Sequence, residues 1–210
     1  MKRTTVILIL ITISFIGQAQ SSNSRISEIG LNVSLSNMYG IRFKTGNEKL
    51  LLRTTLQSLT GQTLKTANGN KSTLFGCELN LGIEKRIPIS DNVTFYFGSD
   101  LITGVTKINQ QSQLATDLVY SAGVGLVLGF NYNINNQISI SAEIMPSIIY
   151  SKDKETISNP VNGEKTVSYS HNLTYGFNGS NSTLGSIVFN GVNNYLANFT
   201  ISFRIGNKAK

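Results

Sequence analysis

Charged side chains recur at alternate positions along several stretches of this chain, and they are the first residues whose types and spacing suggest chemistry. Arg42, Arg53, Glu78, Glu84, Arg86, Asp100, Glu143 and Arg204 carry both signs, and Glu28 and Lys44 fall in the same phase. Their nearest alternate neighbours are mostly Gly, Asn, Ser or Thr. Opposite charges held in a narrow space must pair or keep water, because an unpaired charge away from bulk solvent is costly. The spacing therefore predicts a network of charges lining a lumen. Such a network serves either as structural ion pairs or as the wall of a small pore.

A second set of residues raises nucleophilic catalysis. His171 is the single histidine, with Ser168 and Ser170 beside it and Glu164 near. A Ser–His–acid group needs its members on one side of the backbone. Neighbouring residues of a strand point to opposite faces, so Ser170 and His171 are not expected to meet. The sequence predicts no enzyme here. Cys77 is the one cysteine, so no internal disulfide, CxxC pair or Cys/His metal pattern exists, and no metal or cofactor is expected. At its position Cys77 reads as a small apolar residue. The net charge of +7 is spread thinly. No Lys/Arg cluster is interleaved with aromatics, which argues against nucleic acid and leaves solubility and contact with anionic lipopolysaccharide as the expected uses of the charge.

The elements that must position these residues are strands. From 74 to 86, Phe75, Cys77, Leu79, Leu81 and Ile83 alternate with Gly76, Glu78, Asn80, Gly82 and Glu84. The same period of two runs through 93–105, 118–132, 138–150 and 195–205, and less cleanly through 29–35, 39–44 and 50–57. Runs of this length suit tilted transmembrane strands, which need roughly 9–11 residues. The apolar face then meets lipid, and the small polar face fills a narrow lumen. Only 14% of residues are charged and the mean hydropathy is near zero. That average fits alternating strands and excludes a bundle of apolar helices.

The boundaries read as eight strands, at 27–36, 39–45, 49–59, 74–87, 93–106, 118–132, 137–150 and 194–206, with ten as the alternative. Tight turns at 45–48, 88–92 and 133–136 alternate with long polar connections at 60–72, 107–116 and 151–193; the link at 36–38 is very short. An even count places both termini on the periplasmic side and all long connections outside. The 151–193 stretch reads as an external hairpin and the region most exposed to contact. Tyr39, Tyr96, Tyr120, Tyr132, Tyr150 and Tyr195 read as interfacial girdle residues. At the N-terminus, Lys2 and Arg3 precede an apolar run from Val6 to Ile16 and then Gly17-Gln18-Ala19. This is the order of a cleaved secretory signal over 1–19, leaving a single β-barrel domain over 20–210.

The signal ending Gly-Gln-Ala-Gln, the Tyr-Gly-Ile-Arg-Phe strand at 39–43 and the closing Asn-Phe-Thr-Ile-Ser-Phe-Arg-Ile segment at 198–205 carry a resemblance. The chain resembles the Gram-negative outer-membrane β-barrel family, small porin-superfamily barrels of the OmpA type, PorT-like. The resemblance implies an all-β, up-and-down transmembrane barrel in the bacterial outer membrane. It also implies contact with outer-membrane lipid and lipopolysaccharide, and delivery by the barrel-assembly machinery. The family pattern favours a terminal aromatic; here Phe203 is followed by Arg204 to Lys210. A structural or surface-interaction role is the expected function, a narrow channel the alternative, and a lipid-modifying enzyme the third reading.

Overall fold

The computed structural model describes residues 26–34, 39–65, 71–110, 115–159, 163–177 and 197–205. The signal segment, the 36–38 link and Tyr195 lie outside the described residues. The described strands are β1 (Ile26–Ser34), β2 (Tyr39–Gly46), β3 (Leu50–Lys65), β4 (Lys71–Pro88), β5 (Val93–Gln110), β6 (Ala115–Asn133), β7 (Ile138–Ile144), β8 (Pro146–Ser158), β9 (Lys165–Phe177) and β10 (Asn198–Ile205).

Antiparallel pairing runs from β1 through β6, continues through β7 to β10, and returns from β10 to β1. The ring is therefore closed, with no free edge around its base. β7 and β8 form one wall position. Burial alternates through Ser141, Glu143, Met145, Ser147, Ile149 and Ser151 without a change of phase. The ladder is interrupted where Pro146 brings no N–H to donate. β9 pairs with β8, and β10 pairs with β7, both antiparallel. They therefore descend in line along the same side of one neighbour. Phe177 lies opposite Pro146 and Asn198 opposite Glu143, so only Ile144 and Met145 separate the two attachment points. The eighth wall position is thus assembled from β9 above and β10 below, and eight positions close the barrel.

Several boundaries differ from the sequence expectation. β3 to β6 continue well past the apolar alternation, to Lys65, from Lys71, to Gln110 and from Ala115. Most of the polar connections at 60–72 and 107–116 are thus strand rather than loop. The 151–193 stretch begins as β8 and β9, which complete the wall before rising above it. Strand ladders persist there because backbone pairing does not need an apolar outer face; the period-two hydropathy signal does.

At the other end the turns are short and similar. Asn47 Oδ1 accepts from the Lys49 and Leu50 amides at 2.9 and 2.7 Å, and Asn135 Oδ1 accepts from Gln137 and Ile138 at 2.8 Å each. Asn side chains stabilise tight turns by this kind of local acceptance. The β8–β9 turn uses Gly163 at φ 71°, where its N–H donates to the Asn159 carbonyl at 3.0 Å. That left-handed backbone favours glycine.

Candidate functional site

The two faces of the wall have opposite character. Outside, Ile29, Leu31, Ile41, Phe43, Leu52, Leu81, Ile83, Leu101, Val124, Leu126, Leu128, Ile140, Phe199 and Ile201 form an exposed apolar belt, with Leu126 at 62% exposure. Inside, Glu28, Asn32, Arg42, Lys44, Arg53, Thr55, Glu84, Asp100, Glu143, Asn198 and Thr200 are buried. A water-soluble barrel shows the reverse arrangement. A bilayer makes this one favourable, because lipid covers the outer face and the β1–β10 pairing closes the ring. The chain is a membrane-type β-barrel.

The strand phase delivers the inner charges, and closure decides which of them meet. β3 and β7 face each other across the ring. Arg53 on β3 reaches Glu143 on β7 through Nη1 at 3.1 Å and Nη2 at 3.0 Å. Arg42 on β2 joins the same carboxylate at 2.5 Å, and the Tyr96 hydroxyl donates to it at 3.0 Å. Arg42 also donates to Thr55 at 3.0 Å and to Thr200 at 2.9 Å, and Thr200 donates onward to Asn32 at 2.9 Å.

A second carboxylate organises the turn side of this layer. Glu84 pairs with Lys44 at 2.7 Å, Arg86 at 2.8 Å and Arg53 at 3.4 Å. Arg86 then holds Glu28 with two bonds of 2.9 and 2.7 Å, and Arg204 touches Glu28 at 3.3 Å. Asp100 stands 3.2 Å from Arg53 Nε, an ion pair whose alignment falls short of a hydrogen bond. Lys44 Nζ lies 4.8 Å from the Tyr96 ring centre, a distance suited to cation–π attraction. Space for these side chains comes from glycine. A Cβ at Gly129 would press on the Tyr96 ring, and one at Gly82 would collide with Asp100.

Of the eight charges singled out from sequence, Arg42, Arg53, Glu84, Arg86, Asp100, Glu143 and Arg204 meet in this network. Glu78 stands apart: Asn80 donates to it at 2.9 Å, and it joins no ion pair among the described residues. Tyr96 requires a correction. It is fully buried in the lumen and belongs to no girdle. Its even-numbered phase, shared with Asp100, was the available signal. Tyr39, Tyr120, Tyr132 and Tyr150 do face outward.

Next to the ion layer lies an apolar one. Tyr96, Ile102, Val127, Met145 and Ile149 pack as a buried cluster. The inner face is therefore not uniformly polar, as the alternation had implied. The suspected catalytic set does not assemble. His171 meets the Tyr150 hydroxyl on the outer face, whereas Ser168 donates to Glu155 at 3.2 Å and lies in the opposite phase.

No family model matches the chain, and no curated protein matches it. Among solved structures, it is similar to a major outer membrane protein from Thermus thermophilus, with 13% identity and a TM-score of 0.48 over 87% of this chain and 100% of that one. It is similar to CarO from Acinetobacter baumannii at 10% identity and a TM-score of 0.38, covering 86% and 96% of the two chains. A third similarity is to the Pseudomonas putida toluene transporter TodX, at 13% identity and a TM-score of 0.33, over 74% of this chain and 55% of that one.

Proposed function

We propose that this protein is a non-conducting, non-enzymatic outer-membrane barrel, a membrane anchor that holds a tall wall of strands on the cell surface for contact. The observation that carries the reading is the Arg53–Glu143 pair, which spans opposed strands with each side chain only 1% exposed. A continuous aqueous path has to pass this point. The ions there are already bonded to one another, and Tyr96, Ile102, Val127, Met145 and Ile149 pack beside them on the β5–β8 side. A channel needs sites that ions can enter and leave; this arrangement favours a brace. The rim of β3 to β6 with the β8–β9 hairpin is the surface offered for contact. Delivery by the barrel-assembly machinery belongs to the same reading.

Planar-bilayer recording of the purified protein tests it. The expected result is no stable conductance for the wild type, with steps appearing when Arg53 and Glu143 are both replaced by alanine. Stable steps from the wild type would replace the brace with the channel reading.

A further inference from the structure

The outer face of the long-strand rim carries a charge pattern that the lumen network does not explain. Three rows cross β5, β6, β8 and β9 in register. Lys107, Leu118, Lys154 and Tyr169 lie in one, then Val105, Tyr120, Lys152 and His171, then Thr103, Ala122, Tyr150 and Leu173. All share the outward phase of Leu101, Val124 and Ile148. The rows thus pass from the apolar belt through tyrosines to lysines, as a lipid tail gives way to its headgroup.

The acids of the same stretch occupy the other phase. Asp117 lies directly opposite Glu155, and Asp153 opposite Val119 and Ser170, all on the side facing the barrel axis. The sequence has no acid between Asp100 and Asp117, and none after Glu164 at the hairpin turn. The wall therefore separates charge by sign, cations outward and anions inward. No carboxylate of the described residues pairs with Lys107, Lys152 or Lys154. Lys152 stands over the Tyr169 ring at 5.1 Å.

We propose that Lys107, Lys152 and Lys154, flanked by Tyr120, Tyr150 and Tyr169, bind the phosphate of an anionic lipid in the leaflet at this rim. Adjacent strands lie about 4.8 Å apart, so Lys107 and Lys154, two strands apart, are about 10 Å apart at the backbone. Their flexible four-carbon stems let both ammonium groups converge on one phosphate. The tyrosines hold the glycerol or sugar level, and the apolar belt takes the acyl chains. The source of the phosphate is a lipid, because the cluster faces outward at the edge of that belt. The proposal rests on the reading that this rim faces the cell exterior, where the anionic lipid is a phosphorylated glycolipid.

The test is native mass spectrometry of the full-length protein released from detergent after incubation with bisphosphorylated lipid A. A cation beside an anionic membrane surface contributes about fivefold in affinity. The triple variant K107Q/K152Q/K154Q is therefore expected to retain at least tenfold less lipid A, while K85Q at the opposite rim retains as much as the wild type. Phosphatase-treated lipid A is expected to bind the wild type as weakly as lipid A binds the triple variant. Equal retention by the triple variant would overturn the proposal. So would undiminished binding of the dephosphorylated lipid, or displacement of lipid A by an equal concentration of inorganic phosphate. Heat-modifiable gel migration confirms that each variant is folded. Conductance is read separately, so a failed lipid site and a failed brace give different results.

Discussion

Across the layer between β3 and β7, Arg53 and Glu143 meet at the centre of the barrel, both almost completely buried. One step toward the long-strand rim, Ile102, Val127, Met145 and Ile149 pack together on the β5–β8 side of the lumen with no charge among them. Both layers are buried, but they depend differently on their members. Charges in the first layer are each shared: Glu143 serves Arg42, Arg53 and Tyr96, and Glu84 serves Lys44, Arg53 and Arg86. Removing one leaves its buried partners with fewer counter-charges, whereas removing an aliphatic group leaves only a cavity. Tyr96 belongs to both layers, with its hydroxyl on Glu143 and its ring in the apolar cluster.

The comparison is broken most severely at Glu143. Glu143→Ala leaves Arg42 with only Thr55 and Thr200 and Arg53 with only Glu84 and Asp100, and breaking a buried pair in this way costs about 3–5 kcal/mol. Urea unfolding of the barrel in lipid vesicles measures that loss. Met145→Ala tests the apolar layer. Truncating a buried Met costs roughly 2–5 kcal/mol, and Gly125 at its side offers little to refill the space. A value of about 2 kcal/mol in the same unfolding assay is expected, at the low end of that range and below that of Glu143→Ala; the reverse order would mean that the ions contribute less than the packing.

Tyr96→Phe sharpens the boundary between the layers. It keeps the ring and deletes one donor to a carboxylate, a loss of about 1.5 kcal/mol. An effect as large as that of Glu143→Ala would make Tyr96 a member of the ion layer alone. The smallest effect belongs to the rim. His171→Ala touches an exposed residue whose recorded partner is Tyr150, so stability shifts by no more than about 0.5 kcal/mol. Lipid A mass profiles of cells carrying this variant and the wild type should be identical.

Much of the site was legible in the sequence because strand phase is local. Arg42 between Ile41 and Phe43, or Glu84 between Ile83 and Lys85, is assigned a face by its neighbours alone. Tyr96 was misread as a girdle residue because residue type outweighed its phase. The lengths of β3 to β6 were underestimated for another physical reason. Toward the rim the outer face turns polar at Thr73, Asn109 and Thr116 while Leu74, Ile108 and Ala115 are buried inside, so the apolar-outside alternation that marks a membrane strand fades while its hydrogen bonds continue.

The sequence by itself determined the all-β class and the face of each inner charge, and left a ring of eight beside an alternative of ten. Only closure of the sheet decided that Arg53 meets Glu143, since residues of opposed strands become neighbours through the curvature and stagger of the whole ring. Closure likewise revealed that β9 and β10 share one wall position, with Phe177 and Asn198 brought close along β7 and β8. Local pattern fixes which way a side chain points; its partner across a lumen is set by the long-range pairing of every strand between them.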